Sequence, residues 1–183
     1  QGITFGWREP GCSGALNLFG GLVDETFRVK MGQYGSTSRL NLHGGTLRAQ
    51  NIIQSNPNGN IGQSHLYWNG GTFQPNAAGQ TLSGLTSATI STNGAFLDTS
   101  LADYTVKQDL LHDAVLGASA DGGLVKLGTN TLTFASYGST YSGTTAVSNG
   151  TLLIASTLPA ASALVIAPNA EAVIGGSATQ TVS

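Results

Sequence analysis

Apolar and polar side chains alternate along short stretches of this chain, and the stretches end in glycine pairs. Leu40 and Leu42 flank Asn41 ahead of His43-Gly44-Gly45, and Leu66 and Trp68 flank Tyr67 ahead of Asn69-Gly70-Gly71. A period of two puts one face of a β-strand in a core and the other in water. The glycine pair then allows left-handed backbone or a close corner, and a second apolar step follows as Thr46-Leu47 or Thr72-Phe73. The unit reads as strand, corner, strand.

The unit recurs. Leu16-Asn17-Leu18-Phe19-Gly20-Gly21 returns as Leu40-Asn41-Leu42-His43-Gly44-Gly45 after 24 residues, and as Leu66-Tyr67-Trp68-Asn69-Gly70-Gly71 after a further 26. Weaker copies are Ile90-Ser91-Thr92-Asn93-Gly94 and Ser148-Asn149-Gly150-Thr151-Leu152. One such unit cannot bury its own apolar face, whereas stacked units share a continuous core and pair each strand above and below. The expected fold is all-β, a single-stranded parallel β-helix of roughly six or seven coils, about 30 Å long at the spacing of paired strands. Leu42 should lie beneath Trp68, and Asn69 should align with His43 and Asn93 beside the corner, where stacked side chains bond one another.

The segment from Ser100 to Gly117 is less regular. Leu101 with Tyr104, and Leu111 with Val115, fit a helical stripe, yet Tyr104-Thr105-Val106-Lys107 alternates as a strand does. A further rung is the preferred reading, with Val106 and Leu110 or Leu111 inward and the charges in water. Beyond it, Thr131-Leu132-Thr133-Phe134 and Ala163-Leu164-Val165-Ile166 give more strands.

Composition agrees with stacking. Of 183 residues only 9% are charged, 26 are glycine, and from Leu127 onward Glu171 is the sole charged side chain. In-register parallel layers would set like charges about 4.8 Å apart, so uncharged polar residues suit the outer positions. A net charge of -2 leaves no basic field for phosphates, which argues against nucleic acid as a partner. The weakly polar stretch from Leu158 to Ala167 is far short of the ~20 residues that span a bilayer, and the amino end has no leader-like pattern. Cys12 is a lone cysteine, so no intrachain disulfide is expected.

The run from Gly123 to Phe134, followed by Ser139-Thr140-Tyr141-Ser142-Gly143 and Gly150-Thr151-Leu152, resembles the passenger-associated repeat of bacterial autotransporters. Lys126, Gly128 and Leu132 stand where that repeat expects them; Asn130 replaces a usual glycine and Ser139 a usual asparagine. The resemblance covers 123–152 clearly, and the upstream Leu-Asn-Leu-x-Gly-Gly-Thr-Leu copies look like the looser repeats that accompany it, so that 1–183 reads as one β-helix or a portion of a longer one. It implies a right-handed β-helix stalk, located outside the cell or at the bacterial surface, structural and not enzymatic, often within an adhesin.

Candidate chemistry is sparse. Asp98, Asp103, Asp109 and Asp113, with His112 beside the last, are the densest ionisable residues. A carboxylate pair would suit acid-base work on glycans, as in a carbohydrate-active β-helix enzyme, but a solvated loop face is the expectation. His43 and His65 lack metal-ligand spacing, so no metal or cofactor is expected. Tyr67 points outward when Leu66 and Trp68 point in, and Tyr34, Tyr137 and Tyr141 lie near Gly/Ser turns. Tyr67 is therefore the surface-binding candidate for a glycan or a host-surface protein. Neither end carries an evident charged cap, from which the expected partners are adjoining coils of a parent protein or a second copy stacked end to end.

Overall fold

The computed structural model describes residues 2–5, 11–56 and 59–175. The expectation about caps falls partly on Gln1, Trp7, Gly176 and Ser177, which lie outside the described residues.

The chain winds as a parallel β-solenoid of about seven turns, consistent with a right-handed single-stranded β-helix. The first coil holds β1 (Ser13–Leu18), β2 (Leu22–Asp24) and β3 (Arg28–Met31). The second holds β4 (Thr37–Leu42), β5 (Thr46–Ala49) and β6 (Asn51–Gln54), and the third β7 (Gln63–Trp68), β8 (Thr72–Pro75) and β9 (Gln80–Leu82). The fourth has β10 (Ser87–Ile90), β11 (Ala95–Asp98) and β12 (Tyr104–Val106); the fifth has β13 (Leu110–His112), β14 (Leu124–Leu127) and β15 (Thr131–Phe134). β16 (Thr145–Val147) with β17 (Gly150–Ile154), and β18 (Leu164–Ile166) with β19 (Ala170–Ile174), make the last two.

Three faces result. The first stacks β1, β4, β7, β10 and β13; the second stacks seven strands from β2 to β18; the third stacks β9, β12, β15, β17 and β19, with β3 and β6 paired separately. Every pairing between these strands is parallel, and the register sets like positions over one another: Leu16, Leu40, Leu66, Ala88 and Leu110 form one inward column, and Leu18, Leu42, Trp68 and Ile90 another. Leu42 lies directly beneath Trp68, as the repeats require. On the second face the inward column runs Val23, Leu47, Phe73, Leu97, Lys126, Val147, Ile166. Apolar members of these columns in the inner coils are fully buried, so the core is a set of stacked inward columns enclosed by three sheets.

Glycine is required at the corners by contact with the coil below. Gly45 has φ 67°. A Cβ there would lie 2.6 Å from the Gly20 carbonyl carbon and the Gly21 oxygen, both backbone atoms that cannot move aside. Beside the corner, Asn69 Oδ1 accepts the Asn93 amide at 2.9 Å, and Asn17 Oδ1 accepts Asn41 Nδ2 at 2.7 Å on the outer surface, so stacked asparagines do bond between coils.

The Ser100–Gly117 segment contains the strands β12 and β13 and a short 3-10 turn, Ala114–Leu116. Val106 and Leu110 are buried, and Leu111 is the outward neighbour of the pair. Tyr141, expected near a turn, is fully buried; its hydroxyl meets the Thr145 hydroxyl at 2.7 Å, which is what permits a phenol inside.

Alanine substitutions separate corner strain from inter-coil contact. Gly84 has φ 74° but open space around it, so Gly84→Ala should cost about 1–2 kcal/mol through left-handed backbone alone. Gly45→Ala adds the clash and should cost more than about 3 kcal/mol. Urea unfolding of the two variants checks this; equal losses would mean that the corner spreads freely.

Candidate functional site

Tight corners join the first face to the second through His43-Gly44-Gly45 and through Asn69-Gly70-Gly71. In the fifth coil the chain instead leaves β13 at His112 and reaches β14 only at Leu124. No periodic apolar residue holds this excursion down. Two acids do so.

Asp113 caps the 3-10 turn, its Oδ1 accepting the Val115 amide at 3.1 Å, while Oδ2 accepts the Ser91 hydroxyl at 2.7 Å and the Tyr67 hydroxyl at 3.0 Å. The side chain of Asp121 has no exposed surface. Its Oδ1 accepts the amides of Gly123 and Gly143 at 3.0 and 2.9 Å; its Oδ2 accepts the Ser142 amide at 2.8 Å and faces His112 Nδ1 at 2.7 Å. Both carboxyls are held below the ordinary carboxylate value. For Asp113 the Ser91 hydroxyl leads, against burial, with Val115 and Tyr67 adding. For Asp121 burial pushes upward, but His112 and the amides of Ser142, Gly143 and Gly123 outweigh it.

The expectation that the acids of this region face water therefore needs correction. Asp113 is buried because hydroxyls from the third and fourth coils replace its water. Asp98 and Asp109 are half-buried and engaged with Gln74 and Ser136; only Asp103 is exposed, and it accepts the Thr131 amide at 2.7 Å. These acids bind their own chain at separate corners and do not converge as a pair.

His112, Asp121 and Ser142 are the residue types of a hydrolytic triad in the wrong order. Ser142 Oγ lies 3.3 Å from Nδ1, the same nitrogen that faces Asp121, while Nε2 faces the Gly117 carbonyl at 3.2 Å. A nucleophilic serine must sit on the ring nitrogen opposite the acid, so no activated hydroxyl exists here. The bond to Asp121 raises the His112 pKa above its ordinary value, with burial opposing and Gly117 assisting. Next to the cluster lies an open cleft of about 470 Å3, lined by His112, Gly117, Ser119, Thr140 and Ser142 among others.

The second polar centre is inside the helix. Lys126 occupies the inward column between Leu97 and Val147 and has no exposed surface. Its Nζ donates to the Thr99 hydroxyl at 2.7 Å and to the carbonyls of Leu127, Gly128 and Asn149 at 3.0, 2.7 and 3.0 Å. One ammonium thus ties the fourth, fifth and sixth coils at a corner where carbonyls converge. Burial draws its pKa down to about 8, with Asp98 and Asp103 acting the other way.

Tyr67 is half-buried, with its ring 5.8 Å from that of His43, which stacks at 4.8 Å and 7° on Phe19. Phe19 is 74% exposed. An outward aromatic file therefore crosses the first three coils. His65 Nδ1 bonds the Ser87 hydroxyl at 2.8 Å, and burial together with Arg39 lowers its pKa. Tyr137 is exposed, Tyr34 half-buried, and Cys12 exposed. Among the described residues, no group of three or more His, Cys, Asp or Glu is placed to hold a metal ion.

Residues 124–154 match the model of the Passenger-associated-transport-repeat family. No curated protein and no solved structure matches the chain significantly. The matched segment begins with β14 and ends with β17, so it encloses Lys126, Tyr141 and Ser142. That repeat is structural rather than catalytic and typical of autotransporter stalks, which are secreted or displayed at the cell surface. Fold and repeat together define a structural, passenger-like β-helix of a secreted or surface-displayed protein.

Lys126→Met should lower stability by about 2 kcal/mol or more, because the carbonyls of Gly128 and Asn149 lose the ammonium that donates to them. The wild type should also gain stability from pH 8 to 10. A lysine whose folded pKa is about 8 against 10.5 binds fewer protons in the folded chain over that window. Tyr141, raised to about 12 by burial, opposes the gain only above about pH 10. Denaturant unfolding of both proteins at pH 7, 8 and 10 checks the loss and the slope: the stability difference between wild type and Lys126→Met should widen from pH 8 to 10, because the other titrating groups cancel in it.

Proposed function

We propose that residues 1–183 form one β-helix that works as a spacer in a surface-displayed passenger, presenting neighbouring parts of the parent protein away from the cell. The inward column of the second face, which runs through all seven coils, carries this reading. A stack of coils held layer on layer by parallel pairing forms a continuous rod and has no need of a ligand. The proposed partners are further coils, from an adjoining part of the same protein or from a second copy meeting it end to end. The inward-column residues Ile166 and Ile174 are 44% and 46% exposed on the last described strands, and a coil laid over β18 and β19 would cover them. Light scattering over a hundredfold range of concentration tests the second source. Growth of the particle supports end-to-end stacking, and a constant monomer mass rejects a second copy as partner.

The outward aromatic file favours a second reading, contact with a glycan or a host-surface protein through Tyr67 and its neighbours. Because Phe19 is largely exposed, Phe19→Ala should weaken such binding by about tenfold or more with little change in unfolding. Tyr67→Phe keeps the ring but breaks the bond to Asp113, so it should retain binding and lose about 1 kcal/mol of stability. A screen of glycans and host-surface proteins with calorimetry of the variants checks both; no binder in the screen would leave the spacer alone.

A further inference from the structure

We propose that the excursion from Asp113 to Asp121 is a proton-dependent strap, latched shut by the imidazolium of His112 and loosened when that ring becomes neutral. Both ring nitrogens face acceptors: Nδ1 faces the Asp121 carboxylate at 2.7 Å and Nε2 faces the Gly117 carbonyl at 3.2 Å. Only the doubly protonated ring donates to both. On deprotonation the remaining proton stays on Nδ1, where the carboxylate accepts it, and the Nε2 lone pair then confronts the Gly117 oxygen. The middle of the strap loses its tie to β13, while its two ends stay fixed by Asp113 and Asp121.

The surroundings favour this assignment. Asp121 reaches His112 from the far end of the strap and Asp113 is its chain neighbour, so the titratable groups acting on the ring are two carboxylates. Ser142, from the sixth coil, is neutral, and Tyr141 beside it keeps its proton because burial lifts its pKa to about 12. Neither acid has a Lys or Arg ion-pair partner among the described residues. Between its ends the strap has few other ties: Val115 is 90% exposed, and the turn bonds from Gly117 to Ala114 and from Ser119 to Leu116 are local. The sign follows. A histidine whose folded pKa is raised contributes most below the unfolded value of 6.5 and loses that contribution as pH climbs through the folded value.

Amide hydrogen exchange followed by NMR from pH 6 to 9, corrected for the intrinsic rise with pH, tests the strap alongside the titration of the His112 ring. His112 should titrate above 6.5, and the Gly117 and Ser119 amides should lose about tenfold or more of their protection across the same titration. Amides of the stacked coils that do not adjoin Lys126, such as Asn76 and Ala135, should hold theirs. In His112→Gln, which keeps a donor but no titrating proton, the Gly117 and Ser119 profile should be flat. Should that variant fail to fold, the wild-type contrast between the strap and Ala135 decides alone. A ring that titrates at or below 6.5, or strap protection that does not follow the titration, overturns the proposal.

Discussion

Parallel pairing between successive coils is the constraint from which the rest follows. A coil of this helix points several side chains inward, such as Leu40, Leu42, Leu47 and Ile52 of the second, and that layer is dry only when another coil lies on it. The backbone ladders hold that contact in register, so Leu40 must lie over Leu16 and under Leu66. In such a stack, identical side chains sit about 4.8 Å apart, and the few charges have to alternate or be neutralised. The outer surface of the second face meets this requirement. Asp24 bonds Arg48 at 2.7 Å, Arg48 bonds Gln74 at 2.7 Å, and Gln74 bonds Asp98 at 2.6 Å, a file through four coils in which no like charges adjoin.

The buried charged side chains Asp113, Asp121 and Lys126 all belong to the fifth coil, where regular stacking is interrupted. The first face has no assigned strand in the sixth coil, and the fifth coil reaches its second strand by the long excursion. There the backbone amides of Ser142, Gly143 and Gly123 would lose their partners, and the Asp121 carboxylate supplies them. At the next corner the orphaned groups are carbonyls, and Lys126 supplies protons. Acid meets amides and ammonium meets carbonyls, each bridging more than one coil. These centres substitute for missing ladder bonds, which accounts for buried charge in a structural repeat without invoking catalysis.

Period-two alternation made the first three coils legible from residues alone, because Leu40, Leu42, Leu66 and Trp68 leave one choice of face. The corner glycines were equally plain, since few other roles require Gly-Gly after an apolar pair. The polar cluster was not. Asp121 precedes Gly122-Gly123 just as Asn69 precedes Gly70-Gly71, a signal that it occupies a corner, but nothing local announces that amides of Ser142 and Gly143 approach it from the following coil. Asp113 and Tyr67 are 46 positions apart, and their hydroxyl-to-carboxylate bond depends on two intervening coil lengths. Contacts of that range are fixed by loop lengths, to which alternation is blind.

Lys126 shows why a charge belongs in an apolar column. The run Leu124-Val125-Lys126-Leu127 has apolar side chains at both parities, so hydrophobicity alone specifies its face weakly. A slip by one residue would carry Val125 and Leu127 inward and Lys126 out to water, with similar apolar burial and no ammonium to desolvate. What the slip forfeits is the set of bonds from Nζ to Thr99, Gly128 and Asn149, and the carbonyls gathered at that corner would then be left without a donor. The seated register offsets the desolvation of one charge with several directed bonds from three coils, none of which the slipped register can reproduce. In a stack where every coil is aligned by the one beneath it, an error of one position here would be inherited by all coils that follow, so the inward lysine fixes the register of more chain than it touches.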